Sequence, residues 1–224
     1  MLALVGSGEY LPRMEPVDRY LLEQLKSTPK VICLPTAAGK EGPERVRYWM
    51  ELGKAHFTHL NASVDALPVI DQSSANNAEY AEQIRFANFV YLSGGKPDYL
   101  FQTLNGSLVW EGIMDVLNKG GVVAGCSAGA MIMGDKMPGF PGLKPAFGLL
   151  EGVIIMPHFD EIPGAMVNTL RKLVTKKLIL IGIEGNTALL KGEAGYQVVG
   201  SGGVVVWKNG EKKRYTQGQP LTWE

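Results

Sequence analysis

Gly125-Cys126-Ser127-Ala128-Gly129 follows the apolar run Val122-Val123-Ala124 and precedes Ala130-Met131-Ile132-Met133. That order reads as a strand, a tight turn and a helix, with a serine at the turn. A nucleophile placed there needs small residues two positions to either side, because the turn is strained and a Cβ would strike the flanking backbone. Gly125 and Gly129 meet that demand. The turn would set the Ser127 hydroxyl at a helix N-terminus, where free N–H groups favour developing negative charge and Ala128 N–H is one oxyanion donor. The pattern also arises by chance in a chain with 28 glycines, but the strand before it and the helix after it place the nucleophile reading ahead. Cys126, one residue early, is expected to point into the core as a structural thiol.

An acyl-transferring serine needs a base, and the chain has three histidines, His56, His59 and His158. His56 and His59 lie three apart in an amphipathic stretch and read as a solvated helix face, with a two-histidine metal site as the remote alternative. His158 follows Val153-Ile154-Ile155-Met156-Pro157 and so stands at a strand end, where α/β sheets display functional side chains. It is the expected general base. A carboxylate should fix its tautomer. Glu184, after Leu180-Ile181-Gly182-Ile183, ranks first and Asp135, one turn past the elbow helix, second. Asp160 and Glu161 are so close in sequence to His158 that they read as loop-solvating charges.

Ser93-Gly94-Gly95 follows Phe89-Val90-Tyr91-Leu92, and Lys96-Pro97-Asp98 then opens a helix, so Gly94 or Gly95 could offer a second oxyanion N–H. Gly6-Ser7-Gly8-Glu9-Tyr10 lacks the lysine of a phosphate loop and the third glycine of a dinucleotide fingerprint, which excludes nucleotide binding.

These residues need a scaffold that brings strand ends together. Short apolar runs at Leu2 to Val5, Val31 to Leu34, Ala66 to Ile70, Phe89 to Leu92, Val122 to Ala124, Val153 to Met156 and Leu178 to Ile183 predict strands buried on both faces. Pro16 to Lys26, Pro43 to Leu60, Ala75 to Phe86, Leu108 to Asn118 and Pro163 to Thr175 carry helical periodicity, three of them opening on a proline suited to a first turn. The pattern predicts an α/β fold with a parallel sheet between helices. After Gly185, Thr187 to Leu190, Tyr196 to Val199 and Val204 to Trp207 predict an antiparallel extension on one edge of that sheet, spanning about residues 186–224 of a single domain, 1–224.

Composition narrows the function. Hydrophobic residues at 46% and charged residues at 20% exclude disorder and fibrous repeats. Twenty-two basic and 22 acidic side chains balance to a net charge of zero, which argues against a partner bound through its phosphates, so no nucleic acid is expected. Two cysteines in apolar runs do not make a disulfide framework, and no apolar run is long enough to span a membrane. With no signal peptide legible at Met1-Leu2-Ala3, a cytoplasmic protein without membrane contact is expected.

Taken in order, Gly6-Ser7-Gly8-Glu9, Leu34-Pro35-Thr36-Ala37-Ala38, the Gly94-Gly95 turn, Gly125-Cys126-Ser127-Ala128-Gly129-Ala130, Gly152-Val153-Ile154-Ile155 to Pro157-His158-Phe159, and Gly182-Ile183-Glu184 to Thr187-Ala188-Leu189 resemble the serine peptidases that include cyanophycinase and the α-aspartyl dipeptidases (peptidase E). The resemblance covers most of the chain. It implies a three-layer α/β/α sandwich with a mostly parallel sheet, of the class I glutamine amidotransferase-like (flavodoxin-like) type. It implies Ser127 as nucleophile, His158 as base and Gly95 and Ala128 as oxyanion donors, without cofactor or metal, and leaves the acid between Glu184 and Asp135. Small peptides are the implied substrates, aspartyl dipeptides or related isopeptides among them, and a homodimer is one candidate assembly, with the oligomeric state left open. Where relatives that take aspartyl substrates carry arginines or polar residues, this chain has Asp160-Glu161-Ile162-Pro163 and Lys96-Pro97. The basic residues near those places are Lys96, Arg171 and Lys172. A non-catalytic or regulatory binding protein on the same fold is the alternative. An esterase on an α/β-hydrolase scaffold is disfavoured by Glu184 following His158.

Overall fold

The alternation of apolar runs and amphipathic stretches is built as strands and helices through the first half of the chain. β1 (Leu2–Val5) leads through a 3-10 turn into α1 (Glu15–Glu23), and β2 (Lys30–Leu34) through another into α2 (Pro43–His59). Next come β3 (Ser63–Ala66), α3 (Gln72–Ala75), α4 (Ala78–Phe86), β4 (Phe89–Leu92), α5 (Pro97–Leu104) and α6 (Leu108–Asn118). β5 (Val122–Cys126) and the single turn α7 (Ala128–Met131) complete this half. The second half holds β6 (Gly134–Gly139), β7 (Gly142–Pro145), β8 (Leu150–Met156), β9 (Ile179–Ile183), β10 (Thr187–Gly192), β11 (Gly195–Gly200), β12 (Gly203–Lys208) and β13 (Glu211–Thr216). The computed structural model describes residues 1–139, 141–164, 167 and 178–223. The helix expected over Pro163 to Thr175 lies largely outside the described residues, as do Arg171 and Lys172.

A seven-stranded sheet runs in the order β11-β10-β1-β5-β4-β2-β3. Its central pairings β1·β5, β5·β4, β4·β2 and β2·β3 are parallel, while β10 is antiparallel to both β1 and β11. Val5 pairs with Cys126, Leu92 with Gly125 and Leu34 with Leu92, so β1, β5, β4 and β2 end level along one edge. β1, β4 and β5 are buried at every position, hence their unbroken apolar sequences. Alternate residues feed two cores, Leu4, Leu34, Leu92 and Val123 on one face and Val5, Cys33, Tyr91 and Ala124 on the other.

The expected single sheet is corrected to two. β8 and β9 pair with each other in parallel and belong to a six-stranded sheet ordered β13-β12-β9-β8-β6-β7, in which β9·β12, β12·β13 and β6·β7 are antiparallel. They cannot extend the first sheet beside β1, because β5 and β10 occupy both its edges. The C-terminal strands are therefore divided between the sheets. β10 and β11 border β1, and β12 and β13 border β9.

Smaller departures have local causes. The strand expected at Ala66 to Ile70 is β3, which starts three residues earlier and ends at Ala66: Ser63 to Ala66 pair with Lys30 to Cys33, and Pro68 lies beyond the ladder. The helix expected from Ala75 to Phe86 is α4, begun three residues later, because Ala75 closes the short α3 under its Asp71–Ser74 capping box and the Asn77 side chain caps α4. β13 has no counterpart among the expected strands. Its sequence, Glu-Lys-Lys-Arg-Tyr-Thr, is a charged edge strand with little apolar signal.

Candidate active site

Ser127 is the residue between β5 and α7, with φ 51° and ψ −109°. A non-glycine residue pays ~1–3 kcal/mol for such a conformation and keeps it only where its surroundings impose it. Here the Ser127 N–H donates to Val5 O and its carbonyl accepts from Ala130 and Met131, all at 3.0 Å. The flanking glycines are required by contact. A Cβ at Gly125 would lie 2.4 Å from Gly129 C, and one at Gly129 would lie 2.5 Å from Leu92 O.

His158 stands two residues past β8, also at positive φ (52°). Its N–H donates to Gly6 O at 3.3 Å, which ties the end of the second sheet to the end of β1. Its Nε2 lies 3.1 Å from Ser127 Oγ, and its Nδ1 lies 3.2 Å from Glu161 Oε2. With Nδ1–H donating to the carboxylate, Nε2 presents a lone pair to the hydroxyl, the tautomer that can take its proton. The imidazole is 40% exposed and Glu161 62%, so water screens this carboxylate more than it would a buried one.

The other acids are engaged elsewhere. Glu184 sits just past β9. Its Oε1 and Oε2 accept from Arg214 Nε and Nη2 at 2.6 and 2.5 Å, and Oε2 also accepts from Gly203 N–H at 2.7 Å. The Arg214 hydrogen bonds, helped by that of Gly203, hold its carboxyl below the usual glutamate range despite partial burial, and Arg214 is raised in turn. Its backbone is nonetheless beside His158, since Met156 pairs with Gly182 and each residue in question lies two further on. Asp160 Oδ1 accepts from Gly185 N–H at 2.8 Å and fastens the His158 loop to the same strand end. Asp135 is not brought to the site. Pro138 and Gly139 pair with Leu143 and Gly142 in the β6–β7 hairpin, and Lys136 pairs with Ile154, four residues before His158. At ~3.3 Å per residue, Asp135 is on the order of 10 Å or more short of His158 along the strand.

The second oxyanion turn lies at the end of β4. Gly94 N–H donates to the carboxylate of Glu9 at 2.9 Å, whereas the N–H groups of Gly95 and Ala128 have no acceptor among the described residues. Gly95 has φ 143°, and a Cβ there would lie 2.7 Å from Ala37 C and O. Lys96 is exposed at the start of α5. Glu9 itself is buried, and its Oε2 accepts from Cys126 Sγ–H at 3.0 Å. Burial first and Glu9 second push the Cys126 thiol well above its usual range, so it is a neutral donor. Glu161, expected only to solvate its loop, is the carboxylate at His158 Nδ1, and Glu9 carries no role in the sequence reading. The position of Glu9 just past the first strand end was the signal that could have found it.

His56 corrects an expectation. It is not on a solvated face but buried, with Nε2 2.8 Å from Asp18 Oδ2 and its ring edge-on to Phe57. His59 is exposed and lies 3.4 Å from Glu15. Among the described residues no cluster of three or more His, Cys, Asp or Glu could hold a metal ion, and no helix is long and apolar enough to cross a membrane.

The model of peptidase family S51 matches residues 2–199. The chain belongs to that family. S51 peptidases are serine peptidases, and the family includes the cyanophycinase and peptidase E proteins that the motifs resemble. A crystal structure of a peptidase from an acI-B1 Actinobacterium superposes with a TM-score of 0.89 at 35% identity, covering 99% of this chain and 96% of that one. A putative peptidase E protein from Listeria monocytogenes EGD-e shares the fold with a TM-score of 0.60 at 20% identity, over 92% and 97% of the two chains. An uncharacterized peptidase of Pasteurella multocida (strain Pm70) is 26% identical over 173 residues, 71% of this chain and 80% of that protein. This S51 chain is thus a peptidase of mixed α/β fold whose two sheets meet at Ser127 and His158.

Proposed function

We propose that this S51 chain hydrolyses small peptides through an acyl-enzyme on Ser127. The observation that carries the reading is the 3.1 Å contact between Ser127 Oγ and His158 Nε2 at a serine held in a strained turn. Ser127 Oγ attacks the scissile carbonyl carbon as its proton passes to His158 Nε2, and the N–H groups of Gly95 and Ala128 receive the oxyanion. The C–N bond then breaks as His158 returns the proton to the leaving amine. Water, giving a proton to His158, attacks the acyl ester carbon, and the C–Oγ bond then breaks as His158 passes that proton to Ser127 Oγ. Glu161 holds Nδ1 in this arrangement. Glu184 is the second reading for that role, supported by its register beside His158, and would need to leave Arg214. The seven-stranded sheet with its helices is read as the class I glutamine amidotransferase-like part of the fold.

Aspartyl dipeptides and related isopeptides are the first substrates to test, with neutral dipeptides as the contrast. A screen of Asp-X, β-aspartyl and neutral dipeptides against wild type and Ser127→Ala checks the activity and the substrate class together. Turnover of at least one class that disappears in Ser127→Ala is the expected result. Equal turnover by both proteins would remove Ser127 from the chemistry, and binding without turnover would favour a non-catalytic binding protein.

A further inference from the structure

Glu9 is a carboxylate beside the reaction centre with no part in the steps above. It is nine-tenths buried, and each oxygen has one donor from a different strand end, Gly94 N–H past β4 and Cys126 Sγ–H at the end of β5. The carboxylate and the serine flank the same glycine. A Cβ at Gly94 would lie 2.7 Å from Glu9 Oε1 and 3.2 Å from Ser127 Cβ. Because Gly94 N–H is turned to Glu9, it is withdrawn from any oxyanion at Ser127. The planar unit that carries Gly95 N–H can turn only through the torsions beside it, so holding Gly94 N–H on one side narrows the orientations open to it. Lys96 N–H is held by Ala37 O at 2.9 Å on the other side, which leaves Gly95 N–H free between two anchored amides.

We infer that Glu9 is a positioning residue for the oxyanion site: by clamping Gly94 N–H and Cys126 Sγ–H it holds the Gly94-Gly95 turn so that Gly95 N–H faces the carbonyl attacked by Ser127. This rests on the acyl-transfer reading of Ser127. Two donors on the carboxylate also draw its charge away from the place where negative charge must develop, which a bare anion there would oppose. Loss of the clamp should act on the transition state more than on substrate binding, because the oxyanion exists only there.

Hydrolysis of p-nitrophenyl acetate by wild type, Glu9→Ala, Glu9→Gln and Ser127→Ala, each checked for folding by thermal melting, tests the inference. In Glu9→Ala, kcat should fall by roughly 10²–10³, the cost of a lost oxyanion donor, with KM changed by less than about threefold. Glu9→Gln keeps an oxygen for Gly94 N–H and should restore kcat to within about tenfold of wild type. Wild-type kcat in Glu9→Ala, or a Glu9→Gln as slow as Glu9→Ala, overturns the positioning role while Ser127→Ala remains inactive. If instead Ser127→Ala keeps the wild-type rate, or wild type shows no turnover, the acyl-transfer reading falls and this inference with it. Should Glu9→Ala not fold, Glu9→Asp draws the acceptor back by about one C–C bond and must still lower kcat at least tenfold. A wild-type rate there overturns the role equally.

Discussion

Each histidine of this chain faces a carboxylate, and His56 and His158 show how little that feature alone decides. His56 has the shorter contact, 2.8 Å to Asp18 against 3.2 Å from His158 to Glu161. It is also the better shielded, with side chains 4% and 0% exposed. Yet its ring lies among Tyr10 and Phe57, inside the core between α1, α2 and the sheet, where no substrate arrives. His158 has the longer, wetter partner and the one neighbour that matters, a serine hydroxyl held at positive φ where two sheets end together. Burial makes the first pair a structural bond. The exposed edge makes the second a site at which proton transfer can be coupled to an incoming carbonyl.

The largest effect that sharpens this contrast is on turnover. Ser127→Ala should lower kcat/KM by about 10⁴ or more while the thermal midpoint stays near wild type, since the hydroxyl contributes to chemistry and not to the core. Kinetics and melting on the same preparation check both halves.

His56→Ala should do the reverse. Removing one partner of a buried pair leaves Asp18 uncompensated and should cost about 3–5 kcal/mol of unfolding free energy, with kcat of the folded protein unchanged. Burial raises the Asp18 carboxyl above its usual range, against the lowering by His56. A raised carboxyl favours the fold below its unfolded pKa and loses that contribution as pH rises through the folded value. Denaturant titrations should therefore show the deficit of His56→Ala growing from acid toward neutral pH.

The acid of the exposed pair gives a smaller effect. Glu161→Gln should lower kcat about ten- to a hundredfold, less than the ~10⁴ known for a buried triad aspartate, because water already screens Glu161. Glu184→Gln should cost less than Glu161→Gln, and Asp135→Asn should leave kcat unchanged. A larger loss in Glu184→Gln would mean that Glu184 leaves Arg214 for His158 during turnover.

Smallest is the Glu184–Arg214 pair, worth ~0.5–1 kcal/mol at a half-exposed site. Arg214 holds the Glu184 carboxyl below its unfolded range, so the pair stabilises above that range and is lost as pH falls through the depressed value. The Tm deficit of Arg214→Gln should be present at pH 7 and close at low pH.

What the sequence exposed and what it hid follow from range. Strands such as Leu2–Val5 and Phe89–Leu92, and the helix Leu108–Asn118, carry their own periodicity and were legible to the residue. The elbow was legible because its glycines answer a contact two residues away. The division into two sheets was not, since which edge β8 and β9 join depends on β10 filling the side of β1 some 185 residues earlier. The same distance hid Arg214, whose pairing with Glu184 is made by the β12–β13 hairpin. His56 misled because α2 is amphipathic in a register where one polar residue faces inward, and only Asp18 on another helix explains it.

The most direct test of the contrast is fluorophosphonate labelling with peptide mapping by mass spectrometry, in wild type, His158→Ala and His56→Ala. The phosphonyl group should map to Ser127 in wild type and in folded His56→Ala, and labelling should be lost or slowed by orders of magnitude in His158→Ala. Labelling of Ser127 at the wild-type rate in His158→Ala, or a label on any other residue of the wild-type protein, would contradict the assignment of the chemistry to the Ser127–His158 edge.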